Sequence, residues 1–421
     1  MDDAVQTTVL DNGVRIVTLS MPYLRSVSMG VWVGAGARDE TQTQNGLSHL
    51  IEHMIFKGTV KRSAYDIAKQ FDAIGGHSNA FTSLEHTCFH AKVIDDHLPT
   101  MVDILSDIFL NSLFDGDELE KERAVVLQEI GMVEDSPEEY IHVLAGANFW
   151  GDHPLGRSIL GTRDNLMGFD TGAIRSFFNR LYQPERIVIA AAGNMAHERI
   201  VDLAGPVFAP LPPGTWALDR KAPQSRFQVR DHVRDLEQVH LCLTTEGLPT
   251  TDPDRFTIAL LNTILGGNMS SRLFQEIRER RGLAYSVYSF LSSYVDAGMA
   301  GVYAGVDPRQ SLKVIDLILD QMEMLARTPV SIPELEDAKQ FTIGSLMLAA
   351  ESNDNQMVRL AQGEINFKRH IRLEEIAAQI LAVSPDDLLA LAARLFRRDK
   401  IALTLLGSVP NRAEVEKRLG Q

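Results

Sequence analysis

His49, Glu52 and His53 spell H-x-x-E-H within GLSHLIEHMIF. The surrounding apolar residues Leu47, Leu50, Ile51, Met54 and Ile55 fall at helical spacing, so the segment predicts an amphipathic helix over 47–57. On that helix the histidines are one turn apart and Glu52 lies three residues after His49, so all three project to one side. Two imidazoles at i and i+4 can share a zinc ion, and a carboxylate between them can sit beside the water such an ion holds. The order is the reverse of the H-E-x-x-H arrangement of zinc hydrolases. With 12 histidines in the chain, chance produces this pattern in roughly one such sequence in fifty. It therefore needs support, the alternative being two surface histidines on an amphipathic helix.

Support comes from DELEKERAVVLQEIGMVED, which carries Glu122 and Glu129 two turns apart on one helix face. A hydrolytic zinc site commonly has three protein ligands and one open position. Glu129 suits the third ligand, and Glu122 a carboxylate that orients an imidazole from behind. Both also read as part of a solvated acidic face, with Glu118, Glu120 and Glu134 nearby.

The elements that must position these groups recur once along the chain. VSMGVWVGAG pairs with HLCLTTEGLP and the stretch around Asp103 with that around Asp316, both at an offset of 213, while RLYQPERIVIAAAGN pairs with RLFRRDKIALTLLGS at 214. Five prolines between residues 206 and 223 place a linker at 211–222, dividing a domain over 1–210 from a homologous one over 223–421. In the first half, LDNGVRIVTLS, SVSMGVWVGAG and HSNAFTSLEHTCFHAKV read as strands, and helices are expected over 47–57, 63–74, 97–112 and 117–150. The expected class is α+β, each domain a mainly antiparallel sheet packed with helices. Adding 213 to His49, Glu52, His53 and Glu129 gives Asn262, Leu265, Gly266 and Thr342, so the second half reads as a copy without metal.

Composition narrows the function classes. The 421 residues carry 56 acidic against 41 basic side chains, a net charge of −15, which disfavours a nucleic-acid partner and favours a basic one. Two cysteines form no disulfide framework. The acidic start MDDAVQTTVL reads as no secretory signal, and no apolar run is long enough for a membrane span, so a cytoplasmic protein is expected. Cys88, flanked by His86 and His90, has no oriented base, and the glycines at 34, 36, 266 and 267 complete no nucleotide loop. His77, His86, His90 and His240 read as structural or surface histidines.

HLIEHMIFKGT, with a glutamate 76 residues after His53 in ERAVVLQE, resembles the pitrilysin family of zinc metallopeptidases, and within it the mitochondrial processing peptidase group and its bacterial relatives. NAFTSLEHTCF and GGNMSSRLFQEIRERRGLAYSVY extend the resemblance over both halves. It implies one zinc per chain on His49, His53 and Glu129, with Glu52 as general base and Glu122 behind a ligand. It further implies that Asn79, Ala80 and Phe81 lie on an edge strand that receives an extended peptide, and that Arg278 and Tyr285 help hold the substrate backbone. Glu139 matches an arginine-recognition carboxylate of the processing peptidases, but the acidic partner expected one turn later is Val143 here. The family's four-domain clamshell implies a homodimer or a related partner chain. The competing class is a noncatalytic core-protein-like scaffold; against it, every zinc and base position is filled.

Overall fold

Strands such as IVIAAAG are apolar without alternation, and a strand of that kind needs cover on both faces of its sheet. The computed structural model, which describes residues 5–420, shows how that cover is supplied. The first four residues of the acidic start, and Gln421, lie outside the described residues. The first half runs β1 (Val5–Val9), β2 (Arg15–Ser20), β3 (Ser26–Val33), α1 (Leu47–Met54), α2 (Ala64–Ala73), β4 (His77–Thr82), β5 (Thr87–Ile94), α3 (Leu98–Asn111), α4 (Gly116–Asp135), α5 (Pro137–Trp150), α6 (Arg163–Gly168), α7 (Thr171–Leu181), β6 (Ile187–Gly193) and α8 (His197–Phe208). The second runs β7 (Val229–Val233), β8 (Val239–Glu246), α9 (Arg255–Gly266), β9 (Ala284–Ser293), β10 (Gly298–Val306), α10 (Ser311–Arg327), α11 (Ile332–Ala350), α12 (Asn353–Phe367), α13 (Leu373–Ala382), α14 (Pro385–Leu395), β11 (Ala402–Gly407) and α15 (Arg412–Leu419).

The sheets have orders β1-β2-β6-β3-β5-β4 and β7-β11-β8-β10-β9. Apart from the additional β1, the topology is the same, with one parallel pair in each (β2–β6 and β7–β11) and antiparallel pairing elsewhere. The α+β class and the duplication are as the sequence reading expected. β8 lies 213 residues after β3 at both ends. The offset then drifts: α4 and α11 begin 216 residues apart, at Gly116 and Ile332. Aligned by their starts, the two helices set Ser345, not Thr342, opposite Glu129.

The compact units are interleaved. One comprises residues up to Gly131, Ser158–Arg220 and Met347–Arg372; the other Met132–Arg157, Lys221–Leu346 and the chain from Leu373. The crossing at Arg220 falls inside the linker placed at 211–222, but α5 belongs with the second sheet and α12 with the first. In the first unit Val31, Phe89 and Ile189 face a core with α1, α3, α7 and α8, while Trp32, Cys88 and Val188 face Met357, Leu360 and Ala361 of α12. In the second, Ile141 and Ala145 of α5 cover Cys242, Tyr303 and Leu406. Each helix caps a sheet face that its own half leaves bare. The helix expected over 117–150 is accordingly two, broken at Ser136 before Pro137.

Among the described residues no single helix is long and apolar enough to cross a membrane; α13 and α14, apolar in sum, are bent by 83° and place Ile380, Leu388 and Leu391 in the second core. The linker is strapped down, with Gly214 N donating to Glu185 at 2.8 Å and the Arg220 guanidinium gripping Asp39 at 2.8 and 2.7 Å. Since Leu360 follows the linker in sequence but is fully buried against the first sheet, Leu360→Ala is expected to cost about 2–5 kcal/mol. Hydrogen exchange should then accelerate in β3 and β6 and stay unchanged in β8 and β10.

Candidate active site

Helix α1 is two turns long and depends on burial for its existence. Leu47, Leu50, Ile51, Met54 and Ile55 are each at most 1% exposed, which turns His49, Glu52 and His53 to the opposite, half-buried face. Its N-cap is Gly46 at φ 107°, where a Cβ would come within 3.0 Å of the Leu160 carbonyl, so glycine is required. Helix α4 buries Leu119, Val126 and Ile130 in the same core and presents Glu122 and Glu129 to α1.

The two helices bring the expected residues together. His49 Nε2 lies 3.5 Å and His53 Nε2 3.6 Å from Glu129 Oε2, and the ring centroids are 4.7 Å apart. Among the described residues, this is the cluster of His, Cys, Asp and Glu groups able to hold a metal ion, its ligand atoms all within 4.8 Å of one another. Two atoms that share a tetrahedral zinc ion stand about 3.4 Å apart, so the spacing fits. Burial, and secondarily the neighbouring His53, push the His49 ring down to about 4, leaving it neutral and able to donate a lone pair at neutral pH. His53 Nδ1 lies 3.0 Å from Glu122 Oε2; a carboxylate can only accept here, so Nδ1 carries the proton of that bond. Lys57 Nζ holds the other Glu122 oxygen at 2.6 Å, fixing the carboxylate that fixes the ring.

Glu52 completes the face. Burial raises its carboxyl above the ordinary range, opposed in part by the neighbouring Thr82 at the end of β4. Its Oε2 atom is buried and, among the described residues, has no hydrogen-bond partner. β4 is an edge strand, pairing with β5 through Asn79–His90, Ala80–Phe89 and Phe81–Cys88, with its other edge unpaired among the described residues. Lys57 and Thr82 were not singled out from the sequence, although Lys57 lies four residues after His53, a spacing that carries a signal.

Three expected site residues fall in the second unit. Arg278 sits in a π-helical turn, Phe274–Glu279, with its guanidinium 4.6 Å from the ring centre of Tyr285, a side chain 79% exposed. Glu139 is exposed in the first turn of α5. Cys88 and Cys242 are buried free thiols, and burial pushes the Cys88 thiol far up, which leaves it inert.

Residues 15–163 match the family Insulinase (Peptidase family M16), and residues 169–341 match Peptidase M16 inactive domain. A Bacillus subtilis protein named an uncharacterized zinc protease is 42% identical over 403 residues, covering 95% of this chain and 98% of its own. A Streptomyces coelicolor protein, also named a zinc protease, is 38% identical, covering 97% and 90%. Among solved structures, one titled as a peptidase M16 inactive domain from Pseudomonas fluorescens superposes with a TM-score of 0.90 at 20% identity, covering 97% of this chain and 98% of that one. A protease from Helicobacter pylori gives 0.89 at 21% identity, covering 96% and 99%. At such identities these two likenesses concern the fold.

The pairing of Lys57, Glu122 and His53 generates a test that needs no substrate. Glu122→Gln should weaken zinc binding about 10–100-fold in chelator competition, as loss of a ligand's hydrogen-bond partner does elsewhere. Unchanged affinity would show that His53 needs no such support.

Proposed function

The chain belongs to the insulinase family, peptidase family M16, and from that premise we propose that it is a zinc-dependent endopeptidase hydrolysing unfolded peptides or presequence-like segments bound as an extended strand. The observation that carries this reading is the convergence of His49, His53 and Glu129 beside the unpartnered oxygen of Glu52, next to an edge strand.

On this reading His49 Nε2, His53 Nε2 and a Glu129 carboxylate oxygen would hold one zinc ion. When bound, zinc supplies Lewis-acid activation of water and of the scissile carbonyl. Glu52 takes the proton of the attacking water and returns it to the leaving amine, with Thr82 beside its carboxyl group. Asn79, Ala80 and Phe81 add the substrate to the sheet through backbone hydrogen bonds, which accept many sequences. Arg278 and Tyr285 hold the substrate backbone, supplied by a second copy in a homodimer. The net charge of −15 favours basic peptides, and Glu139 offers one carboxylate for a basic side chain. The buried free thiols suit the reducing cytoplasm.

The decisive experiment compares the zinc-loaded wild type with Glu52→Gln on a set of unstructured basic and neutral peptides, with cleavage sites read by mass spectrometry. Glu52→Gln is expected to lose about 10²–10⁴ in rate with its zinc retained; substantial activity in that variant removes Glu52 from the role. Mixing Glu52→Gln with Arg278→Ala subunits should restore activity where mixed dimers form, and no recovery in such dimers argues against sites completed in trans.

A further inference from the structure

Nine residues before His49, and outside the metal cluster, Glu40 is 3% exposed. Its hydrogen-bonding partners gather at the start of α1: Oε1 accepts from Ser48 N at 2.7 Å, and Oε2 accepts from Gly46 N at 2.9 Å and from Asn45 Nδ2 at 3.0 Å. Burial raises the Glu40 carboxyl to about 7, while the bonds from Ser48, Asn45 and Gly46 pull the other way. A carboxyl group in so dry a place needs a reason to be there.

The local sequence supplies one. A helix start is ordinarily secured by two reciprocal bonds: the N-cap side chain accepts from a first-turn N–H, and the side chain three positions on accepts from the N-cap N–H. In α1 both positions are occupied by something else. The N-cap is Gly46, which its backbone conformation demands and which has no side chain, and the residue three positions on is His49. Glu40 performs both tasks with one carboxylate, one oxygen serving the first-turn N–H of Ser48 and the other the N–H of Gly46. Its negative charge also lies at the positive end of the helix.

The loop that delivers Glu40 is itself anchored. Ala37 N and Arg38 N donate to the carbonyls of Ser83 and Leu84 at 3.1 and 2.7 Å, in the turn that ends β4. Asp39 is gripped by Arg220, and Arg38 pairs with Glu85 at 2.6 Å. Glu40 thus ties the start of the histidine helix to the turn of the edge strand.

We propose that Glu40 is a positioning residue that replaces the missing helix cap of α1 and so holds His49, Glu52 and His53 in register with Glu129 and with β4. The role rests on the reading of His49 and His53 as zinc ligands and of Glu52 as the base. Glu40→Gln keeps the shape but sets an amide NH₂ against N–H donors on one side.

Three measurements on the full chain test it. In the metal-free protein, amide exchange of α1 should accelerate in Glu40→Gln while that of α8 keeps its wild-type rate. Zinc affinity in chelator competition should fall about 10-fold or more. With a fluorogenic unstructured peptide, kcat should fall about 10–100-fold with KM changed less than about threefold, as expected from displacement of reacting groups by less than about 1 Å. Ile200→Val, a core truncation in α8, controls for general destabilisation and should leave α1 exchange, zinc affinity and kcat unchanged. Wild-type exchange and zinc affinity in Glu40→Gln overturn the proposal, as does an equal effect of Ile200→Val. If the wild type cuts no peptide, the peptidase reading fails, while exchange and zinc affinity still decide on Glu40. If Glu40→Gln does not fold, Asn45→Ala removes one of the donors named above; faster α1 exchange supports the role and an unchanged rate overturns it.

Discussion

Burial of five apolar side chains along one side of α1 is the constraint from which the site follows. An eight-residue helix has too few internal hydrogen bonds to persist alone, so its structure is held by packing. At about 1.5–3 kcal/mol for each fully buried Leu, Ile or Met, Leu47, Leu50, Ile51, Met54 and Ile55 together outweigh the penalty of half-burying two imidazoles and a carboxyl group. That packing also fixes the helix rotation. With 3.6 residues per turn, once those five point into the core, His49, Glu52 and His53 have one direction left. Glu129 meets them because α4 buries its own apolar stripe in the same core.

The same frame occurs twice and carries the cluster once, which shows what the fold supplies and what the side chains add. At the offset of 213 that relates β3 to β8, α9 has Asn262, Leu265 and Gly266 where the first unit has His49, Glu52 and His53. Leu265 is 3% exposed, and a Cβ on Gly266 would lie 2.6 Å from the backbone nitrogen of Ser289 on β9. There Leu265 joins the core of the second unit, and Gly266 lets α9 approach β9 closely. Polar groups beside an edge strand are therefore not a consequence of the fold; they are what the side chains of one unit add to it.

How far the sequence revealed all this depended on the range of each interaction. The H-x-x-E-H spacing and the two-turn separation of Glu122 and Glu129 are properties of single helices, and both are visible as periodicity. The duplicated topology was visible because β3 and β8 keep one offset at both ends. The exchange of α5 and α12 was not, since which sheet a helix covers is decided by bare faces far away in sequence, such as that of Trp32 and Val188. Pro137 did carry a local signal for the break between α4 and α5, but the continuous helical pattern on either side masked it. Glu40 bears no periodic relation to His49, and its role emerges only where the chain returns upon itself.

An edge strand is ordinarily a hazard, because its unpaired backbone groups invite another chain. β4 is only six residues long and starts with His77, Ser78 and Asn79, all exposed and polar, features that blunt association with a folded partner. On the proposed reading they still leave room for an extended peptide to pair there. A folded protein has already spent its backbone hydrogen bonds internally, whereas an unfolded segment still has both donors and acceptors to offer. On the proposed reading, preference for unfolded substrates therefore requires no side-chain recognition at all. It follows from the backbone being the binding surface, and side chains such as Glu139 are left to bias which unfolded segments are taken.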